Sequence, residues 1–255
     1  MSVSIILSTF GERVRKISFS EAYTRIPIIV IHQIGDHSFS NEIAFSDLLL
    51  ITDKGSGLSR SRNIGLNAAK TKFVYIMDDD VEFDHVRILE LSDWMEANKI
   101  DVATAMFQFK DGSFARKYSS RPHRHTMLSA AKVSSIEICV NVEKLKEKDI
   151  SFDECFGLGT DLPSGEEYIF ITDCIKAGLN VWFYPITTGV HPNITSGMDF
   201  YTSSCKTLAK REMFKRIFGR KAFLFILAFW LKKTPKVLKA GYLWPFTKTM
   251  LLGLK

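Results

Sequence analysis

The stretch Phe73-Val-Tyr-Ile-Met-Asp-Asp-Asp80 decides how this chain reads. A short, unbroken apolar run is the pattern of a strand in a parallel sheet covered on both faces. It ends in three adjacent carboxylates, which repel one another and call for a compensating cation. In an extended segment Asp78 and Asp80 point one way and Asp79 the other. Two carboxylates on one side suit a hard divalent ion, Mg²⁺ or Mn²⁺, of the kind that also holds phosphate oxygens. The plain alternative is a solvated acidic turn.

Working upstream, residues 59–70 have helical periodicity, with Ile64, Leu66, Ala68 and Ala69 apolar and Arg60 and Arg62 between them. Those arginines are of the type that neutralises a diphosphate. Further strands are predicted at 3–8, 26–31 and 48–51, with Pro27 tolerable at the start of its strand. Strands alternating with helices give an α/β fold. In such folds ligands gather at the carboxyl ends of the strands. Ser8-Thr9, His32-Gln33 and Asp78 to Asp80 all fall at such ends.

Downstream lies a second constellation, Phe152-Asp-Glu-Cys-Phe-Gly-Leu-Gly-Thr160 followed by Pro163-Ser-Gly-Glu-Glu167. A Gly/Pro-rich loop thus leads into a pair of acids. A helix is predicted over 168–177, ended by Gly178. Glu166 and Glu167 sit at its start, where the helix dipole favours carboxylates. They are either ordinary helix-start charge or a general base at the mouth of a cleft. A strand at 181–185 and a loop carrying His191 follow.

The chain has 255 residues, 46% of them hydrophobic and 24% charged, which excludes general disorder. No apolar run approaches the roughly 20 residues of a transmembrane helix. Val3 to Leu7 has no basic segment before it, so no secretory signal is expected. Four cysteines without CxxC spacing point to neither a zinc knuckle nor a disulfide scaffold, and fit a reducing cytoplasm.

The net charge of +6 hides a split. Residues 206–255 hold 13 of the 34 Lys and Arg and one of the 28 acids, Glu212. The first 205 residues are acidic on balance. The basics of the tail interleave with Phe214, Phe218, Phe223, Phe225, Phe229, Trp230, Trp244 and Phe246. Basic amphipathic helices rich in Trp and Phe fit an in-plane membrane anchor, with anionic lipid as partner and no nucleic acid. Pro235 and Pro245 are expected to break these helices. The reading divides the chain into 1–205, a globular domain, and 206–255, a helical tail.

Gly57-Leu-Ser-Arg-Ser-Arg-Asn-Ile-Gly65, followed by Phe73 to Asp80, resembles the family 2 glycosyltransferases of GT-A fold, bacterial polysaccharide or glycolipid type. These carry an arginine-asparagine helix, then a strand and a DxD motif. Phe152 to Glu167, closing on Val190-His191, is similar to the same family's acceptor-side half. The resemblance covers residues 3–195, with its motifs in the family's order. It implies a nucleotide-diphospho-sugar transferase fold, with a mostly parallel central sheet flanked by helices.

The resemblance also implies roles. Ser8, Thr9 and Phe10 fall at the nucleotide-binding first loop, and Gln33 where the base is contacted. Arg60, Arg62 and Asn63 match the helix that contacts the nucleotide or diphosphate. Asp78 matches the acid near the ribose. Asp80 and His191 match the metal ligands, for Mg or Mn. Glu167 matches the catalytic base and Glu166 its neighbour. The family's usual Glu-Asp is Glu-Glu here, which leaves open which of Glu166 and Glu167 reaches the acceptor, and Leu-Ser-Thr-Phe-Gly replaces the common Pro-Thr-Tyr-Asn. The implied activity is an inverting transfer from a nucleotide-diphosphate sugar, of UDP type, to a glycan or lipid-linked acceptor. The implied place is the cytoplasmic face of the cell membrane. Two other classes stay open: a metal-dependent nucleotidyltransferase, and a non-catalytic nucleotide-binding module held on a membrane by the tail.

Overall fold

A computed structural model describes residues 2–17, 26–35, 48–192 and 200–254. The apolar runs become the centre of a nine-stranded sheet. In chain order come β1 (Val3–Phe10), β2 (Ile28–Gln33), β3 (Leu48–Asp53), α1 (Leu58–Ala68), β4 (Phe73–Asp78) and β5 (Glu82–Phe83). Then follow α2 (His85–Asn98), β6 (Val102–Phe109), β7 (His123–Arg124), β8 (Ile138–Asn141), α3 (Val142–Glu147), α4 (Glu166–Lys176) and β9 (Val181–His191). The chain closes with α5 (Ser204–Phe218), α6 (Ala222–Lys239) and α7 (Leu243–Thr247).

The strands lie in the order β3-β2-β1-β4-β8-β6-β9-β5, with β7 paired to β9. The first four are parallel. β8 runs antiparallel to both neighbours, β4 and β6, while β6 and β9 are parallel. This is the α/β architecture expected, a mostly parallel sheet flanked by helices. The strands run further than the apolar runs alone suggest. Ser8, Thr9 and Phe10 finish β1 rather than lie in a loop, His32 and Gln33 finish β2, and His191 finishes β9. Ladder hydrogen bonds to parallel neighbours continue through polar residues, which apolar patterning does not register.

The register aligns the carboxyl ends. Ser8 stands opposite Asp78 on one side and Ile31 on the other. Phe10 pairs with Gln33, and Gln33 with Asp53. Side-chain alternation sends Val3, Ile5 and Leu7 to the face covered by α2, and Ile6 to the face covered by α1 and α4. Helix α1 lies close against β1: a Cβ on Gly65 would stand 2.9 Å from Ile6 Cγ2. Only glycine allows that approach without a shift.

The second core also takes in Met213, Phe214, Ile217, Ala222, Ile226, Val237, Phe246 and Met250 from the tail. Pro235 does not break its helix. It lies inside α6, which runs on to Lys239. Proline removes one i→i−4 bond. The neighbouring Thr234 hydroxyl donates to the Trp230 carbonyl at 2.8 Å, and fully buried Val237 anchors the next turn in the core. Pro245 lies in the first turn of α7, where a missing N–H costs no helical bond. Among the described residues, no helix is long and apolar enough to cross a membrane.

Candidate active site

β4 ends at Asp78, and Asp79 and Asp80 form a turn. The alternation expected for an extended Asp78-Asp79-Asp80 therefore does not hold. Asp79 turns inward, its side chain 5% exposed. It accepts from Thr9 Oγ1 at 2.6 Å and from the Arg13 guanidinium. Burial holds its pKa above the usual carboxylate value, against the pull of the Thr9 bond and Arg13. Asp80 is half exposed. Its Oδ2 lies 3.8 Å from Arg13 and its Oδ1 3.9 Å from His191 Nε2.

The centre of the site is Arg62. Its side chain is fully buried beneath α1, and it meets three carboxylates. Asp78 Oδ1 lies at 3.3 Å, Glu166 Oε1 at 3.4 Å and Glu167 Oε1 at 3.8 Å. An arginine placed there stays charged, because the acids outweigh the cost of desolvation. It links the end of β4 to the start of α4, and its bond to Glu166 spans 104 residues of sequence. Arg62 Nε and Glu166 Oε2 are buried with no hydrogen-bond partner among the described residues. Ser135 Oγ also approaches Asp78, at 3.3 Å.

The two glutamates differ in access. Glu166 is buried, while the Glu167 side chain keeps 22% of its surface. Burial and the Glu166 charge push the Glu167 pKa up to about 7, with Arg62 and Lys210 of α5 pulling the other way. The Phe156-to-Gly159 loop that precedes them is clasped to the start of α1. Ser59 Oγ donates to the Phe156 carbonyl at 2.6 Å, and Leu58 N to the Leu158 carbonyl at 2.8 Å.

Other expected residues have definite partners. Ser8 is buried and accepts from Ser61 Oγ at 2.9 Å. Phe10 is half exposed at the rim. Gln33 Nε2 donates to the Gly57 carbonyl at 3.0 Å. Arg60 makes a two-pronged pair with Asp53, at 2.9 and 3.1 Å, and that pairing holds the Asp53 pKa down. Asn63 differs from expectation. Its amide donates to the Phe152 carbonyl and to Glu154, both at 2.9 Å, and its oxygen accepts from Phe152 N at 2.8 Å. It fastens the 152–154 loop to α1 and has no donor left to offer a diphosphate at that site. His125 is likewise internal, bonded to Thr104 Oγ1 at 2.7 Å and Ser129 Oγ at 3.0 Å. Burial lowers its pKa to about 4.

The sites at Asp80 and His191 could share a cation. His191 Nδ1 lies 2.5 Å from the Pro192 carbonyl, which can only accept, so Nδ1 carries the proton. In the neutral ring Nε2 then presents a lone pair towards Asp80 Oδ1. Two electron-rich atoms 3.9 Å apart fit a hard ion between them. Among the described residues, no three His, Cys, Asp or Glu side chains gather closely enough to hold a metal alone.

Sequence reasoning passed over Arg13, Ser135 and Lys210. Only Arg13 carried a signal, as a basic residue just after a strand end. The others converge through loops and the tail helix.

Residues 45–151 match the model of the family described as Glycosyl transferase family 2. The match takes in α1 and Asp78 to Asp80. In that segment the chain is similar to the family 2 glycosyltransferases. Solved structures share the fold. S. aureus TarS residues 1–349 in complex with UDP is 17% identical, with a TM-score of 0.58 over 87% of this chain and 68% of that one. The same fragment with UDP-GlcNAc is 16% identical, with a TM-score of 0.58 over 94% and 79%. A further TarS structure is 18% identical, with a TM-score of 0.58; this chain covers 47% of it. No curated protein sequence matches the chain.

Proposed function

We propose that the chain transfers a sugar from a nucleotide-diphosphate donor, of UDP type, to a hydroxyl of a glycan or lipid-linked acceptor. The observation that carries this reading is the Arg62 cluster. One buried guanidinium joins the acid at the end of β4 to the acid pair at the start of α4. In this reading donor-side and acceptor-side groups meet at one cluster. The TarS structures hold UDP and UDP-GlcNAc on the same fold, which supports a uridine nucleotide as donor.

Ser8, Thr9, Phe10, Gln33 and Asp78 lie along the strand ends where the nucleotide binds. Asp80 and His191 would hold Mg²⁺ or Mn²⁺. Bound there, the ion supplies positive charge to the departing diphosphate. Glu167 is the base: it is the solvent-reaching member of the pair, and a pKa near 7 suits proton transfer at neutral pH. Its carboxylate takes the proton of the acceptor hydroxyl. The acceptor oxygen bonds to C1 as the C1–O bond to the diphosphate breaks, and the diphosphate leaves with the electron pair. One displacement inverts the anomeric centre. Glu166, buried beside it, keeps that pKa raised.

The exposed face of the tail supports a reaction carried out at a membrane surface. Phe223, Leu224, Leu231, Leu238, Trp244, Leu252 and Leu254 are exposed. Such a patch beside clustered lysines suits the anionic inner face of a cell membrane.

The test is a donor screen with Mn²⁺ or Mg²⁺, reading thermal shift and released nucleotide. Stabilisation by UDP-sugars that needs the metal and is lost in Asp80→Ala is the expected result. A product that retains the donor's anomeric configuration would overturn the single displacement.

A further inference from the structure

Helix α5 reaches the acid pair. A Cβ on Gly165 would lie 2.8 Å from Met213 Sδ, so α5 packs directly on the residue that precedes Glu166. Lys210 comes three residues before Met213, on the same face of the helix and one turn away. The far end of α5 is tied down. Arg216 pairs with Asp173 of α4 at 2.8 Å and with Asp153 at 2.9 Å, and Lys176 Nζ donates to the Ile217 carbonyl at 2.5 Å. This packing brings the Lys210 ammonium into the field of both Glu167 and Glu166, on a face buried enough to lower its own pKa.

The charges around Glu167 come from three helices. Glu166 lies beside it on α4, Arg62 faces it from α1, and Lys210 from α5. Lys233 of α6 lies within the field of Lys210 in turn. Arg62 alone serves three carboxylates, so its single charge cannot balance them. A second cation offsets part of the remaining negative charge in this desolvated site.

We propose that Lys210 is a positioning residue for this acid pair, holding Glu167 ionised and aimed at the acceptor side. The proposal rests on Glu167 being the base, and it makes the tail part of the site.

The chain labelled with ¹³Cδ-glutamate is titrated by NMR, with Glu167→Gln assigning the resonance. In Lys210→Met and Lys210→Gln the Glu167 midpoint is expected to rise by about one pH unit, the effect of removing a nearby opposite charge. Lys210→Arg is expected to keep it. UDP release from UDP-GlcNAc with Mn²⁺ is then expected to fall roughly five- to tenfold at pH 7 in Lys210→Met and to approach wild type by about pH 9. An unmoved midpoint in both neutral variants overturns the proposal, as does a loss of UDP release equal at every pH. Release of UDP undiminished in Glu167→Gln removes the base reading instead, and leaves the midpoint comparison intact.

Discussion

A buried residue at the centre of a charge cluster can be tested by what its loss strands. Arg62→Met leaves Asp78, Glu166 and Glu167 without their shared guanidinium in a desolvated site. Removing one partner from a buried ionic group costs about 3–5 kcal/mol. Urea unfolding is expected to show a loss of that order in Arg62→Met. Arg62→Lys keeps the charge but not the fork that spans acids on α4 and β4, so it is expected to recover only part. Wild-type stability in Arg62→Met would show the cluster to be well solvated. Glu167 makes the complementary prediction. Its raised pKa, about 7 against an ordinary 4.5, means that the proposed base is mostly ionised only above that value. Sugar transfer is therefore expected to fall as pH drops through about 7. The same shift makes Glu167 a stability cost above pH 7 that fades as pH falls towards 4.5, since the folded chain binds the proton more tightly. Glu167→Gln is expected to lose roughly a hundredfold or more in turnover while binding donor normally, and to unfold no earlier than wild type at pH 8. Earlier unfolding in calorimetry would count against that sign.

Elements place these residues, and glycine decides one of the placements. Gly165 caps α4 at φ +107, where a Cβ is strained, and it faces Met213 across the gap to α5. Gly165→Ala is expected to cost more than about 1 kcal/mol and to displace Glu166 and Glu167. Adding Met213→Ala is expected to restore the packing share but not the backbone share. A double-mutant cycle with no coupling would show the two to be independent. The pattern of elements also explains what sequence could convey. Parallel strands covered on both faces are apolar throughout, so β1, β2 and β4 were legible, as were α1 and α4 from their periodicity. Strand ends were not, because the ladder continues through Ser8 to Phe10 and through Gln33 on backbone bonds alone. The 81–151 stretch, with α2, β6 and β8, conveyed little about the site, although Ser135 within it reaches Asp78. Asn63 was legible as a motif residue, but its three hydrogen bonds to 152–154 depend on a loop nearly ninety positions away. Pro235 was misleading for a related reason: a local rule predicts a break, and packing of Val237 overrides it.

At the scale of the molecule, the tail joins two surfaces. Inward, α6 buries Ala222, Ile226 and Val237 in the core shared with the sheet. Outward, Leu224, Leu231 and Leu238 recur every seven residues and so form a single exposed stripe along the same helix. Lys221, Lys232 and Lys239, spaced by eleven and seven residues and so by near-whole helical turns, lie along one flank of that stripe, all exposed. Phe223 borders the other flank, and Trp244 and Leu252 extend the apolar surface beyond the helix. An apolar stripe with a basic margin matches an anionic bilayer, where each basic group near the surface adds about 1 kcal/mol. The same helices hold α5 and Lys210 against the acid pair, so a membrane bound there would sit beside the site proposed to take a lipid-linked acceptor. Sedimentation with vesicles containing phosphatidylglycerol is expected to carry the protein down, and with neutral phosphatidylcholine vesicles to carry much less. Replacing Leu224, Leu231 and Leu238 with Ser is expected to weaken binding at any salt concentration, whereas replacing the three flanking lysines with Gln is expected to remove mainly the salt-sensitive part. Equal sedimentation of wild type and both variants would show that this face does not meet the lipid.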